Sequence, residues 1–421
     1  MRSPAPPPPR ALAPLPAPSA PLAFAAGLGP PTPDGLTPRT NARKTKLGTF
    51  FVGQGRLLRF ARLKGRHGGR TYWVSQTLVK GGYGKVRLAV DAAGNEYAVK
   101  ELRLETARHR RKYDPDTGAV LPPKTKITKF DNLVRERDML LRVGSPLRFS
   151  DFLNVDGKIY GIMPRMDGDL SRLGDAVLQR PQGLSEEHRR ALSLYILEKV
   201  SADLAVTHAR GVIHHDVKMD NMLWRRDGTV SLQDFGLAKE TREDGTVEGG
   251  GRTRGYLAPE RLGDDVHDNK VDLWALGVAL CDLWRDAMDR PPLLRLREHL
   301  PEGEGERRVR ETVGDLVAYR NAVVAAGPVT LEALREHGHG PFAVTFERIA
   351  RSSPELCDFI LRELLCPEPQ DRASAARAEA FATAHLDADT RQRVVRFFAR
   401  RGAENRHHNE VLMALQGLRW T

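Results

Sequence analysis

The stretch Val212-Ile-His-His-Asp-Val-Lys-Met-Asp-Asn-Met-Leu-Trp224 decides the reading of this 421-residue chain. Asp216 comes first, Lys218 and Asn221 follow within five positions, and an Asp234-Phe-Gly236 triplet begins 18 positions after Asp216. Phosphoryl transfer needs little covalent help. It needs a carboxylate to orient the acceptor hydroxyl, oxygen ligands for a metal that bridges phosphates, and cations to hold developing charge. These residues supply those parts in that order.

The stretch and the triplet resemble the catalytic loop of the eukaryotic-type serine/threonine protein kinases, whose pattern is H-R-D-x-x-x-x-N followed by D-F-G. The resemblance implies a two-lobed α+β kinase fold, with a small β-rich lobe and a larger helical lobe. It implies that Asp216 orients the acceptor hydroxyl, that Lys218 steadies the γ-phosphate of ATP, and that Asn221 and Asp234 hold Mg2+. His214 and Phe235 would stack with Leu140 in an internal spine between the lobes.

Working outward toward the N-terminus, Tyr72 to Val90 reads as strand, glycine turn and strand. It resembles the kinase glycine-rich loop, with Gly81, Gly84 and Val86 in place, Gly82 beside them as a further nucleotide-binding residue, and Val79 at the first glycine position. Glycines let the backbone close over phosphates because no side chain intervenes. Next, Glu96-Tyr-Ala-Val-Lys-Glu101 resembles the phosphate-holding strand, with Lys100 on the α- and β-phosphates and Ala98 against the adenine. Lys100 needs a carboxylate partner. An amphipathic helix over 132–142 offers Glu136, with Leu133, Leu140 and Leu141 on its apolar side. The long connection before it, with Arg108-His-Arg-Arg-Lys112, reads as an insertion, either a hairpin or a loop.

The segment Lys158–Leu170 resembles the last small-lobe strand and the connection to the large lobe. By that resemblance Met163 guards the adenine pocket, the Pro164 carbonyl accepts from the adenine amino group, and the Met166 N–H donates. Asp169 is expected at the ribose or a basic substrate residue, and Leu223 joins the nucleotide-binding residues. Leu184 to Arg210 reads as a long core helix, with apolar residues at spacing four. An activation segment runs from Leu237 to Glu260, rich in glycine and closed by Gly255-Tyr-Leu-Ala-Pro-Glu260. Asp272 is expected to reach the catalytic-loop backbone, and Arg372 to pair with Glu260.

The domain reading is a Pro/Ala-rich, disordered segment over 1–47, a small lobe over 48–165 with an insertion at 103–130, a large lobe over 166–386 with an insertion at 286–349, and a helical extension over 387–421. Within the small lobe, the runs at 49–52 and 57–60 around Gly53 and Gly55 read as a hairpin. The extension reads as one or two basic amphipathic helices packed on the large lobe, with a partner or membrane surface as the alternative.

A net charge of +12 and a pI near 9.7 describe a diffusely basic surface, which leaves room for peripheral contact with an anionic membrane. Nucleic acid is not expected, and a monomer is. The 51 Arg against 15 Lys fit GC-rich coding, so a bacterial source, or an effector delivered into a host cell, is compatible. Three cysteines without metal or disulfide spacing suit a cytoplasmic protein with reduced thiols. No apolar run approaches the ~20 residues that span a bilayer.

Two departures from the family pattern stand out: Val79, and His215 in place of the arginine that captures an activation-loop phosphate. A neutral histidine cannot make that bidentate fork, so the expectation is a kinase less dependent on loop phosphorylation. A catalytically weak pseudokinase acting as a binding scaffold is the alternative. Lys218 and Thr253 look like serine/threonine-kinase residues, and the acidic Asp169 and Asp220 hint at a preference for basic substrates.

Overall fold

The computed structural model describes residues 43–52, 56–64, 70–75, 79–81, 84–103, 129–155, 158–173, 184–250, 254–263, 266–284, 304–337 and 341–418. The Pro-rich residues 1–42 and most of the basic insertion at 103–130 lie outside these.

Among the described residues the small lobe carries one eight-stranded sheet: β1 (Arg43–Val52), β2 (Arg56–Lys64), β3 (Thr71–Ser75), β4 (Val79–Gly81), β5 (Gly84–Asp91), β6 (Glu96–Arg103), β7 (Asp151–Val155) and β8 (Lys158–Pro164). The spatial order is β1-β2-β3-β5-β6-β8-β7, with β4 folded back on β5. The expected hairpin is present as β1 and β2, and it starts at Arg43. Residues 43–47, read as part of the Pro/Ala-rich segment, are therefore strand. Strict alternation explains the pairing, with Ala61 and Leu63 buried and Arg62 exposed between them. The sheet curls enough for Tyr72 on β3 to donate from its hydroxyl to Asp151 on the far edge strand, at 3.3 Å.

Helix α1 (Lys129–Arg142) lies under this sheet. Met139, Leu140 and Val143 form its buried face with Phe149, Phe152, Met163 and Phe235. Leu141, expected on that face, is instead 39% exposed. Leu141 lies about 100° further round the helix than Leu140 and about 200° from Met139, outside the arc that those two bury.

The large lobe is built on α2 (Glu186–Ala209). Ser185 caps it by accepting from the His188 N–H at 3.2 Å, Glu186 and Glu187 complement the N-terminal dipole, and Gly211 at φ 66 ends it. Short strands follow: β9 (Gly168–Asp169), β10 (Val212–Ile213), β11 (Met222–Trp224), β12 (Val230–Leu232), β13 (Lys239–Glu240), β14 (Val247–Glu248) and β15 (Val266–His267). Helix α3 (Lys270–Asp282) is buried without interruption from Val271 to Leu280. The described part of the large-lobe insertion is α4 (Glu304–Ala325), α5 (Leu331–Glu336) and the start of α6 (Pro341–Ser352). The acidic Glu304 and Glu306 open α4, where carboxylates suit the N-terminal dipole. Then come α7 (Pro354–Phe359) and α8 (Ala375–His385).

The C-terminal extension departs from expectation. Helix α9 (Ala388–Glu404) does pack on the large lobe, adding Val394, Phe397 and Phe398 to its core, with Phe398 stacked on Trp224 at 5.4 Å. Helix α10 (Arg406–Leu418) crosses to the small lobe. Its Val411, Leu412 and Leu415 are buried with Trp73, Leu88 and Val90 of β3 and β5. Apolar spacing showed that this helix had a buried face but not which lobe would cover it.

Candidate active site

Strand β6 and helix α1 bring the first pair together. Lys100 Nζ donates to Glu136 Oε2 at 2.8 Å and to Oε1 at 3.1 Å, and Glu136 is 3% exposed. Burial pushes the Glu136 carboxyl up, the Lys100 cation draws it back, and the Asp234 charge adds to the rise; the net direction is upward.

The catalytic stretch forms a knot around Asp216. Lys218 Nζ donates to its two carboxylate oxygens at 2.8 and 2.7 Å. Asn221 Nδ2 reaches both Asp216 O and Oδ2 at 2.7 Å. The loop is held from below by Asp272 on α3, which accepts from the His214 N–H at 2.8 Å, the His215 N–H at 2.9 Å and His208 Nε2 at 2.9 Å. Burial opposes its ionisation, but the His208 hydrogen bond and the nearby imidazoles outweigh it and bring Asp272 down to about 2.

Asp234 sits in the left-handed region at φ 67 and accepts from the Gly236 N–H at 3.4 Å. That conformation, rare for a residue with a side chain, sends Phe235 into the cluster containing Leu140. His214 meets Phe235 edge-on at 4.5 Å. The spine residues are thus gathered as expected.

In the nucleotide region, Val79 pairs with Val86 and Gly81 with Gly84 across the β4–β5 turn; Gly82 lies outside the described residues. Val86 is in register with Lys100, and Ala98 with Met163. Met163 is buried, and Gln233 Nε2 lies 3.6 Å from its sulfur. Leu223 pairs with Asp169 across β11 and β9. Asp169 is buried and accepts from the Arg172 N–H at 2.9 Å, so its carboxylate caps the next helical turn. Burial raises its pKa, and Asp220 adds to the rise while Arg172 works against it.

The donor set fits ATP with Mg2+. Among the described residues no cluster of three or more His, Cys, Asp or Glu could hold a metal alone. A carboxamide oxygen and a carboxylate, at Asn221 and Asp234, are what Mg2+ takes when phosphates and water complete its shell.

Sequence reading missed two parts of this region. One is the environment of His215, which has φ 65 and places Nδ1 3.2 Å from Leu237 O and Nε2 2.7 Å from His267 Nε2. Buried Arg261 contacts the same His267 and reaches toward Gly249 O and Gly250 O at 3.4 and 3.3 Å. Three glycines of the activation segment, Gly245, Gly249 and Gly250, have positive φ around β14, which pairs with β15. Thr253 lies outside the described residues. The second missed part is Asp167 in the interlobe connection. It accepts from Arg165 Nη2 at 2.7 Å, Arg226 N at 2.8 Å and Arg226 Nη2 at 2.8 Å. The one signal in the sequence was two aspartates, Asp167 and Asp169, where one was given a role.

Residues 72–381 match the model of the protein kinase domain. The chain is similar to the cyclin-dependent kinase 4 homolog of Caenorhabditis elegans, 30% identical over 211 residues, covering 50% of this chain and 48% of that protein. It is similar to the CBL-interacting serine/threonine-protein kinase 9 of Arabidopsis thaliana, 27% identical over 243 residues, 55% of this chain and 49% of that one. Mitogen-activated protein kinase 6 of Arabidopsis thaliana is 30% identical over 223 residues, 52% and 51% of the two chains. The chain spans about half the length of these relatives. With the matched domain covering most of its length, and the Lys100–Glu136 pair, the Asp216 knot and the inward Phe235 all in place, the chain belongs to the eukaryotic-type protein kinases.

Proposed function

We propose that this protein transfers the γ-phosphate of ATP to serine or threonine hydroxyls of protein substrates. The observation that carries this is the Lys100–Glu136 ion pair at 2.8 Å, formed while Phe235 is packed under α1. Both must hold at once for a kinase site to be competent. In this reading Lys100 binds the α- and β-phosphates under the β4–β5 turn. Adenine lies between Val86 and Ala98 above and Leu223 below, beside Met163, with the Pro164 carbonyl and the Met166 N–H on its edge. Mg2+ held at Asn221 and Asp234 would neutralise phosphate charge. Asp216 orients the acceptor hydroxyl, whose oxygen attacks the γ-phosphorus as the bond to the β-phosphate oxygen breaks. The hydroxyl proton passes late to the Asp216 carboxylate, and Lys218, 2.7 Å from it, balances the charge of the group in transit.

The domain partition follows the same lines: a small lobe to residue 165, a large lobe beyond it, and an extension from 387. Lys218 two residues after Asp216 supports serine/threonine acceptors, as does the similarity to the CBL-interacting serine/threonine-protein kinase 9. A scaffold without catalysis would draw on Val79 and His215 alone. The test is incubation with labelled ATP, Mg2+ and generic acceptor proteins, followed by phosphoamino-acid analysis, wild type against Asp216→Asn. Labelled phosphoserine or phosphothreonine, lost in the variant, is expected. Equal labelling in both, or none in either, overturns the reading.

A further inference from the structure

The interlobe connection is tied to more than the two lobes. Asp167 is 2% exposed, although it lies one residue beyond the backbone proposed to face adenine. Its N–H donates to Trp224 O at 2.8 Å, and its carboxylate takes hydrogen bonds from Arg165 and Arg226. Burial opposes its charge, but those guanidinium groups hold its pKa below the ordinary carboxylate value. Each arginine leads elsewhere. Arg165 Nη1 reaches Glu96 at 3.0 Å, at the start of the strand that carries Lys100. Arg226 Nη2 reaches Asn409 Oδ1 at 2.9 Å, on α10.

The corner between α9 and α10 is fitted against the same place. A Cβ at Gly402 would lie 2.7 Å from Arg226 Cβ and 3.5 Å from Asp167 Cγ. Asn409 Nδ2 secures that corner by donating to Gly402 O and Ala403 O at 3.2 Å. From there α10 lays Val411, Leu412 and Leu415 on Leu88 and Val90. Those two share a face of β5 with Val86, at the period of two along a strand. Gln416 Nε2 donates to Gly94 O at 2.9 Å, in the turn that joins β5 to β6.

We propose that α10 is a strap that fixes the spacing of the lobes around the nucleotide, and that Asp167 is the positioning residue joining this strap to the adenine-facing connection. The proposal rests on the nucleotide reading above. The strap touches the strand over the adenine and reaches the connection beside it through Asn409, Arg226 and Asp167; none of these contacts involves the Asp216 knot. Its loss therefore weakens ATP binding without slowing the chemical step. A helix that only added stability would lower the melting temperature and the active fraction, and hence the apparent kcat, and leave KM for ATP unchanged.

The experiment uses the full chain with Asp167→Asn, Asn409→Ala and the double variant Leu412→Ala/Leu415→Ala, measuring KM for ATP, KM for a peptide acceptor, kcat and melting temperature. Asp167→Asn and the double variant should raise KM for ATP by about tenfold, with kcat and peptide KM within about twofold of wild type. Asn409→Ala should raise it less, and Leu412→Met/Leu415→Met should restore it. KM for ATP unchanged in both Asp167→Asn and the double variant, or kcat and peptide KM shifting as far as KM for ATP, overturns the strap. Absence of turnover in wild type counts against the kinase reading instead. Hydrogen exchange then judges the strap alone: the double variant should exchange faster than wild type over 84–91 and 164–169 with 271–280 unchanged, and equal exchange there overturns it.

Discussion

Arg372 grips Glu260 from 112 positions away, Nη1 to Oε1 at 2.6 Å and Nη2 to Oε2 at 3.0 Å. The arginine side chain is fully buried and also donates to Cys366 O and Lys270 O, while Glu260 keeps 16% of its side chain in solvent. Breaking a buried pair on one side typically costs ~3–5 kcal/mol. Arg372→Ala is expected at that level, and Glu260→Ala below it, because the surviving arginine keeps its carbonyl partners. A double variant destabilised by less than the sum of the singles, by denaturant titration, verifies the coupling.

Lys100→Met should abolish phosphate transfer and leave a buried carboxylate without its cation. Burial already raises the Glu136 pKa in the folded state, and loss of Lys100 raises it further. A folded state that binds the proton more tightly than the unfolded chain loses stability as pH rises. The variant should match wild type most closely below the ordinary glutamate value of 4.5 and fall behind once pH passes the raised value that Glu136 has in the wild type. Melting curves across that range check this. Asp234→Ala should be equally inactive without that pH signature.

His215 behaves in the opposite sense. Burial, with neighbouring His267 and Arg261, lowers its pKa to about 4 despite the pull of Asp272. The unfolded chain takes up the proton first as pH falls below the ordinary imidazole value of 6.5, so stability is lost between there and about 4, by up to about 3 kcal/mol. His215→Asn, whose side chain tolerates the left-handed backbone, should flatten that part of the pH–stability curve.

Since neutral His215 makes no fork for a phosphate, the activation segment should work unphosphorylated. Thr241→Ala/Thr246→Ala, prepared with phosphatase, is expected to keep most of the wild-type initial rate on a peptide acceptor. Silence in the dephosphorylated wild type would transfer the phosphate-capturing role to other basic groups, Arg261 among them.

At Gly277 on α3, an added Cβ would lie 2.9 Å from Leu364 Cβ and 3.0 Å from Leu365 Cδ2. Gly277→Ala should cost ~1–3 kcal/mol, because a packed core cannot yield space cheaply. Thermal unfolding, with ATP-dependent activity measured below the transition, separates this loss from any catalytic one.

The catalytic parts were legible because each is carried by a short contiguous stretch. Asp216, Lys218 and Asn221 are spaced so that one loop presents all three, and Lys100 needed only a helix with a glutamate. The ends of the tether were not legible. Val411, Leu412 and Leu415 announce an apolar face, and Trp73, Leu88 and Val90 read as ordinary strand residues; 320 positions of chain lie between Val90 and Val411, and nothing local links them. Asp167 was hidden for a similar reason, since its partner Arg226 lies 59 positions on in a β-turn. Leu141 failed differently, through a miscounted helical face.

The added hairpin and the strap bear on solubility. A fragment trimmed to the matched residues 72–381 would lose β1, β2 and α10 together. The hydrogen-bonding groups of β3 that β2 now occupies would become an open edge, and Trp73, Leu88 and Val90 would face water. Unpaired edges and bare apolar patches are how folded chains begin to stick to one another. The span that defines the family is thus shorter than the span that keeps this member dispersed.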